Sequence, residues 1–130
     1  MLIHCQQGDH DWKWKVVRGQ VPHHCPIHRR AAKNAYIKDY YEQARAWARE
    51  VIKATKERPC EDCDVEYPTP VMHFDHVRGK KKFGIAGATI TASLSDRFKQ
   101  ELLDEIAKCD VVCANCHAIR GIERDHLPGY

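Results

Sequence analysis

Cys60-Glu-Asp-Cys63 and Cys113-Ala-Asn-Cys116 bracket residues 64–112 of the chain. Two thiolate pairs at knuckle spacing constrain the fold more than any other feature here. Four thiolates complete the tetrahedral shell that Zn²⁺ prefers and leave it no open position. A simple zinc ribbon keeps its pairs roughly 15–20 residues apart. The separation here is far longer, so something is inserted between the knuckles. Cys60, Cys63, Cys113 and Cys116 are therefore expected to hold a structural zinc. Cys109 lies close enough to compete as a ligand, and its other reading is a small buried thiol at the end of a helix.

The insert carries His73-Phe74-Asp75-His76, and a further histidine, His117, abuts the last cysteine. Val71 to Asp75 reads as a strand leaving the Pro68-Thr69-Pro70 turn, and period-two alternation puts His73 and Asp75 on one face. Asp75 offers a hard oxygen suited to Mg²⁺ or Mn²⁺, and His117 offers a nitrogen that Mn²⁺, Co²⁺, Ni²⁺ or Zn²⁺ also accepts. Two protein ligands leave positions for water and phosphate oxygens, an openness that a catalytic metal requires. Imidazole titrates near neutrality, which suits His76 to the role of general base. An isolated Asp-His pair is usually an ordinary surface or core pair; one held between two thiolate knuckles points to chemistry.

On these residues (Cys60, Cys63, Asp75, His76, Cys113, Cys116 and His117) residues 60–124 resemble the HNH family of endonucleases, in the subgroup whose ββα-metal finger is stabilised by a four-cysteine zinc. The resemblance covers about half of the chain. It implies a small α+β fold, with a strand ending at Asp75-His76, a second short strand at Val111-Val112 and a helix starting near Cys116. It also implies roles: His76 as general base, Asp75 and His117 on one catalytic divalent ion, and the four cysteines on zinc. The implied reaction is hydrolysis of DNA phosphodiester bonds, leaving 3′-hydroxyl and 5′-phosphate ends. His73 matches a position that in some members helps orient the metal or phosphate. Phage and mobile-element products are common among small nucleases of this kind, which is analogy at family level. One departure stands out. The family braces its base with a loop asparagine, and the asparagines here are Asn34 and Asn115. Asn115 sits too near His117 for that role, which leaves Asp110 or Asp104 as substitute acceptors.

Before the finger, residues 29–58 read as one long helix of roughly 40 Å. Ile37, Tyr40, Tyr41, Ala44, Ala48, Val51 and Ile52 recur at helical spacing with Trp47 alongside, and Pro59 stops the run. The stripe is expected to pack on the cysteine-framed domain. The other face is basic, with nine Lys and Arg against four Asp and Glu. Arg45 and Arg49 belong to it. It is a rail for phosphates, a solvated face or a helix-pairing surface. Residues 1–28 hold Cys5, Cys25 and His28. Cys25-Pro-Ile-His28 has zinc half-site spacing, with Cys5 as a third ligand and His10 or His4 as a fourth. A zinc knuckle and a loose His-rich arm are the two readings. Asp11 to Val17 alternates as a short strand, followed by a turn at Arg18-Gly19-Gln20.

After the catalytic strand, Lys80, Lys81 and Lys82 form a basic loop, read either as phosphate contacts or as a mobile solvated segment. Ser95 is placed to cap a helix whose apolar face is Phe98, Leu102, Leu103 and Ile106. Arg120, one turn beyond His117, is a phosphate clamp or a surface salt bridge. The organisation expected is thus 1–28 knuckle or arm, 29–58 helix, 59–126 nuclease-like domain and 127–130 tail.

Composition narrows the partners. The 130 residues are 43% hydrophobic and 30% charged, with net charge +3. That suits one small domain whose modest core a structural metal would support. No apolar run approaches the roughly 18 residues of a membrane helix, and the opening Met1–Gln7 stretch lacks signal-peptide character. A cytoplasmic location is expected, in a phage-infected bacterial host if the family analogy holds, where thiols bind metal more often than they form disulfides. Zn²⁺ as structural ion, Mg²⁺, Mn²⁺ or another divalent metal as catalyst, and DNA as partner follow. A zinc-stabilised nucleic-acid-binding module without catalysis is the competing class, and a modification-dependent restriction factor is a third.

Overall fold

The computed structural model describes residues 2–5, 8, 10–13 and 25–124. The readings for residues 14–20 and for the tail at 127–130 lie outside these residues. The chain divides into two compact units, Met1–Tyr40 and Tyr41–Tyr130, and the division falls inside the long helix.

In the first unit, β1 (Leu2–His4) pairs antiparallel with β2 (Asp11–Lys13), with Leu2 opposite Lys13 and His4 opposite Asp11. The connecting loop is closed by a Cys5 N–H donating to the His10 carbonyl at 3.0 Å. α1 (Pro26–Lys56) begins here. Its first residue is proline, whose missing N–H is one of those a helix start leaves unbonded anyway. Arg29 N–H donates to the Cys25 carbonyl at 3.0 Å, so Cys25 opens the first turn.

The second unit is α+β. The C-terminal part of α1 enters with Lys53 and Lys56 in its last turn, where cations meet the negative end of the helix dipole. A single 3₁₀ turn, Thr69–Val71, leads into β3 (Met72–His76). A second, Ile85–Thr89, precedes α2 (Asp96–Ala107). β4 (Cys109–Cys113) and α3 (Ala114–Glu123) finish the described chain. β3 and β4 are antiparallel, with Met72 opposite Cys113, Asp75 opposite Asp110 and His76 opposite Cys109. The second strand is thus longer than Val111-Val112, the helix after it starts at Ala114, close to Cys116 as expected, and Cys109 opens a strand instead of ending a helix. Ser95 caps α2, accepting from Phe98 N–H at 3.3 Å.

Two apolar clusters hold this unit together. One joins Ala44 and Ala48 of α1 to Ile85, Ala88, Ala92, Leu102 and Cys109, with Trp47, Phe98 and Ile106 packed around it. The other gathers Cys60, Met72, Val111, Val112 and Cys113 under Tyr67. Phe74 packs against both. The apolar stripe of α1 is covered only in part: Ala44 and Ala48 are fully buried, whereas Ile37 and Tyr41 are exposed. Small residues at the contact let α1 approach its neighbours closely. On α2, Leu102 is fully buried but Leu103 is exposed, and the inward face holds a charged residue, Glu105. Among the described residues no helix is long and apolar enough to cross a membrane.

Candidate metal and active site

The four-cysteine frame closes as its spacing requires. Donor atoms of Cys60, Cys63, Cys113 and Cys116 all lie within 4.8 Å of one another. Sulfurs sharing a tetrahedral zinc at ~2.3 Å stand roughly 3.8 Å apart, and the Cys63 and Cys113 sulfurs are 4.0 Å apart. The backbone is arranged to hold sulfur. Cys113 N–H donates to Cys60 Sγ at 3.1 Å and Cys116 N–H to Cys113 Sγ at 3.4 Å. Cys113 is also the N-cap of α3, where the helix dipole favours negative charge. Asp64 takes the left-handed conformation, φ 57°, in the turn that brings Cys63 round to Cys60. Burial raises the Cys60 thiol, but N–H groups of Cys63, Cys113 and Asp62 outweigh it and bring the group down to about 6. Hydrogen bonding with Cys113, then burial, pushes Cys116 up. Crowded thiolates repel, and a divalent cation relieves that repulsion. The residues fit a zinc.

Cys109 is not part of this group. It is buried, its thiol faces the Glu105 carbonyl at 3.5 Å, and burial pushes it up to about 11.

In the first unit Cys5, His10, Cys25 and His28 form a second set of four donors within 4.8 Å of one another, a group able to hold a metal ion. Of the two histidines weighed for the fourth position, His10 is the one present. His4 instead turns its Nδ1 to Asp11, at 2.9 Å, across the strand pair.

The third cluster lies where β3 meets α3. Asp75 is 4% exposed. Arg124 holds both of its oxygens, at 2.8 and 2.9 Å, and Arg120 adds a bond of 2.8 Å. Led by the Arg124 hydrogen bonds, and against burial, these guanidinium groups hold the carboxyl down to about 2. His117 Nε2 stands 3.8 Å from Asp75 Oδ1. Adjacent donors on one six-coordinate ion at ~2.0–2.1 Å lie roughly 2.9 Å apart, and opposite ones roughly 4.1 Å. At 3.8 Å the pair matches neither spacing, and both oxygens of the carboxylate are already held by the arginines. His117 Nδ1 faces His73 Nδ1 at 3.1 Å. Burial, then the nearby His117 and Lys56, lowers the His73 pKa. A neutral His73 can accept from His117 Nδ1–H, the tautomer that frees His117 Nε2 for a cation.

His76 is braced, though not by any residue the sequence suggested. Its Nε2 lies 3.0 Å from Oε1 of Glu105, which is fully buried in α2. The same oxygen accepts from Lys82 N–H at 2.8 Å, and the other oxygen accepts from Lys108 Nζ at 2.7 Å. Burial would raise this carboxyl, but the Lys108 and Lys82 hydrogen bonds win and hold it at about 2. An ionised carboxylate only accepts, so His76 Nε2 carries a hydrogen and, in the neutral ring, Nδ1 keeps the lone pair. Asp104 and Asp110 are engaged elsewhere, by Gln100 and by Arg78 and Arg120.

Asp75, His76 and His117, with Phe74, Lys81, Gly121 and Arg124, line one open cleft of about 270 Å³. A neighbouring concavity shares Phe74, His76, Lys81 and His117 and adds Lys56 and His73. Lys80, Lys81 and Lys82 have exposed side chains, yet their loop is tethered: Glu105 holds Lys82 N–H, and Lys108 Nζ donates to the Lys80 carbonyl at 2.9 Å. Arg45 and Arg49 are exposed on α1. Arg120 is not on the cleft wall. Its guanidinium binds three carboxylates, those of Asp62 in the first knuckle, Asp75 and Asp110, so an ion-pair network is present, part-buried rather than at the surface.

Comparison with protein-family models, with curated proteins and with solved structures finds no match to this chain.

Proposed function

We propose that the chain is a metal-dependent endonuclease of the HNH type that hydrolyses phosphodiester bonds in DNA. The supporting observation is the convergence of Asp75, His76 and His117 on one open cleft, with a buried carboxylate fixing the His76 ring. His76 accepts a proton from the attacking water at Nδ1, because Glu105 occupies Nε2. Glu105 then stabilises the imidazolium that forms, as an ionised carboxylate does. Asp75 and His117 would hold a divalent ion, which supplies Lewis-acid stabilisation of charge on phosphate oxygens. Lys81 and Arg124 bring positive charge to the cleft wall. Lys80, Lys82, Arg45 and Arg49, all exposed, supply phosphate contacts along the duplex.

The test is nicking of supercoiled plasmid with Mg²⁺ or Mn²⁺, comparing the wild type with His76→Ala at matched zinc content. Loss of nicking by ~10²–10⁴-fold in the variant is expected. Intact plasmid with both proteins, each folded and zinc-loaded, overturns the reading. A zinc-stabilised nucleic-acid-binding module is then the answer, and one observation favours it: both oxygens of Asp75 are already engaged by arginines.

A further inference from the structure

Among its described side chains the first unit has almost nothing apolar to hold it. Among the side chains described there Cys5, at 4% exposure, is the one that is buried, while Leu2, Ile27, Tyr36 and Ile37 are exposed. A short two-stranded ribbon is at best marginal in water on its own. Yet the ribbon's loop and the first turn of α1 bring four soft and borderline donors together. Cys5 Sγ lies 3.1 Å from His28 Nδ1, and Cys25 Sγ lies 3.3 Å from His10 Nε2. Sulfur and nitrogen sharing a tetrahedral zinc stand roughly 3.5 Å apart, given bonds of ~2.3 and ~2.0 Å.

The loop is shaped to that end. Gly8 N–H reaches back to the Cys5 carbonyl, and His10 N–H donates to the Gly8 carbonyl at 3.0 Å, so the turn swings His10 back beside Cys5. A Cβ at Gly8 would stand 3.1 Å from the His10 ring and 3.2 Å from the His28 ring, tight enough to displace one of them. The rings of His10 and His28 are 5.2 Å apart between centroids and tilted, not stacked, as two ligands approaching one ion from different directions would be. Two donors come from the loop and two from the helix start, so an ion there cross-links the ribbon to α1.

We propose that Cys5, His10, Cys25 and His28 bind one zinc ion, separate from that of the four cysteines, and that this ion is what folds the first unit. Binding energy of such a site is folding energy, because the unfolded chain holds no preformed donor set. The proposal stands whether or not the cleft of the second unit cleaves DNA.

The experiment uses the full chain under reducing conditions. Apo protein is titrated with Zn²⁺ and counted by elemental analysis after removal of excess, and with Co²⁺ to read ligand type from the visible spectrum. Two equivalents are expected for the wild type and for His4→Ala. One equivalent, with a purely four-thiolate cobalt spectrum, is expected for the double variant Cys25→Ser, His28→Ala. In that variant, amide exchange at Leu2–His4 and Asp11–Lys13 should lose protection while Met72–His76 and Cys109–Cys113 keep theirs, which also shows that the second unit remains folded. A single equivalent in the wild type, or two in the double variant, overturns the site. One equivalent in the double variant with the strand pair still protected overturns the folding role.

Discussion

Glu105 accepts from His76 at 3.0 Å although not one part of its side chain meets solvent. A carboxylate placed among Leu102 and Cys109 is costly unless every lone pair is used, and here three donors converge on it. Glu105→Ala removes the acceptor and leaves His76, the Lys82 N–H and the Lys108 amine facing a void. Urea unfolding should show a loss of about 3–5 kcal/mol, the usual consequence of breaking a buried ion pair. Glu105→Gln keeps the shape and should lose less. On the nuclease reading it should still depress nicking at least tenfold, because a neutral amide no longer supports the imidazolium.

Acid should unfold the second unit in a defined window. Glu105 is held at about 2 against an ordinary value of 4.5. A carboxyl lowered by folding stabilises the native state fully above its unfolded value, and that contribution falls away as pH drops through the folded value. Stability measured by urea should therefore decline from about pH 4.5 down towards pH 2. The slope should be shallower in Glu105→Gln. An equal slope in the two proteins would assign the acid sensitivity to other groups.

The two arginines on Asp75 should separate cleanly. Arg120 is half-buried and serves Asp62, Asp75 and Asp110 together. Arg120→Ala strands three carboxylates and should cost about 3–5 kcal/mol. Arg124 has a more open side chain and, among the described residues, serves Asp75, so Arg124→Ala should cost at most about 1 kcal/mol. On the metal reading it also frees Asp75 Oδ1, while Arg120 keeps Oδ2, and Mn²⁺ affinity followed by paramagnetic relaxation should rise by roughly tenfold, or 1.4 kcal/mol.

The cysteines should divide by role. Cys113→Ser should release the zinc of the four-cysteine site and unfold the β3–β4 pair, because Cys113 is buried and caps α3. Cys109→Ser should keep that zinc in full. In the native protein Cys109 should resist iodoacetamide, since it is buried and its thiol is pushed up to about 11. Mass mapping of alkylated peptides checks both.

What could be read from the chain was whatever rests on local spacing. The CxxC pairs, the strand through His73 and Asp75 and the Ser95 cap depend on neighbours a few residues away, and each is found in place. Periodicity gave the inward face of α2 but misassigned two residues. Leu103 was read onto it although it lies about 100° round the helix from Leu102. Glu105 belongs to it despite its charge, standing three residues after Leu102 and seven after Phe98, on the buried side. A carboxylate on an apolar face is the available signal for the brace of His76, and residue type alone points to Asp104 and Asp110 instead. The partners of Arg120 sit at 62, 75 and 110, so no window of sequence holds them together. On α1, repetition marked which face is apolar but not where its covering stops: Ile37 shares the stripe of Ala44 and Ala48, yet is exposed. The choice of His10 over His4 depended on which lies in the loop and which in the strand opposite Asp11.

Phe74 lies between His73 and Asp75 and packs against both apolar clusters of the second unit. Neither cluster can come apart without baring this ring to water and loosening the other. Heating should therefore take residues 41–124 through one all-or-none transition, and no partly melted form should persist in which the thiolate end is intact while the cleft has dissolved.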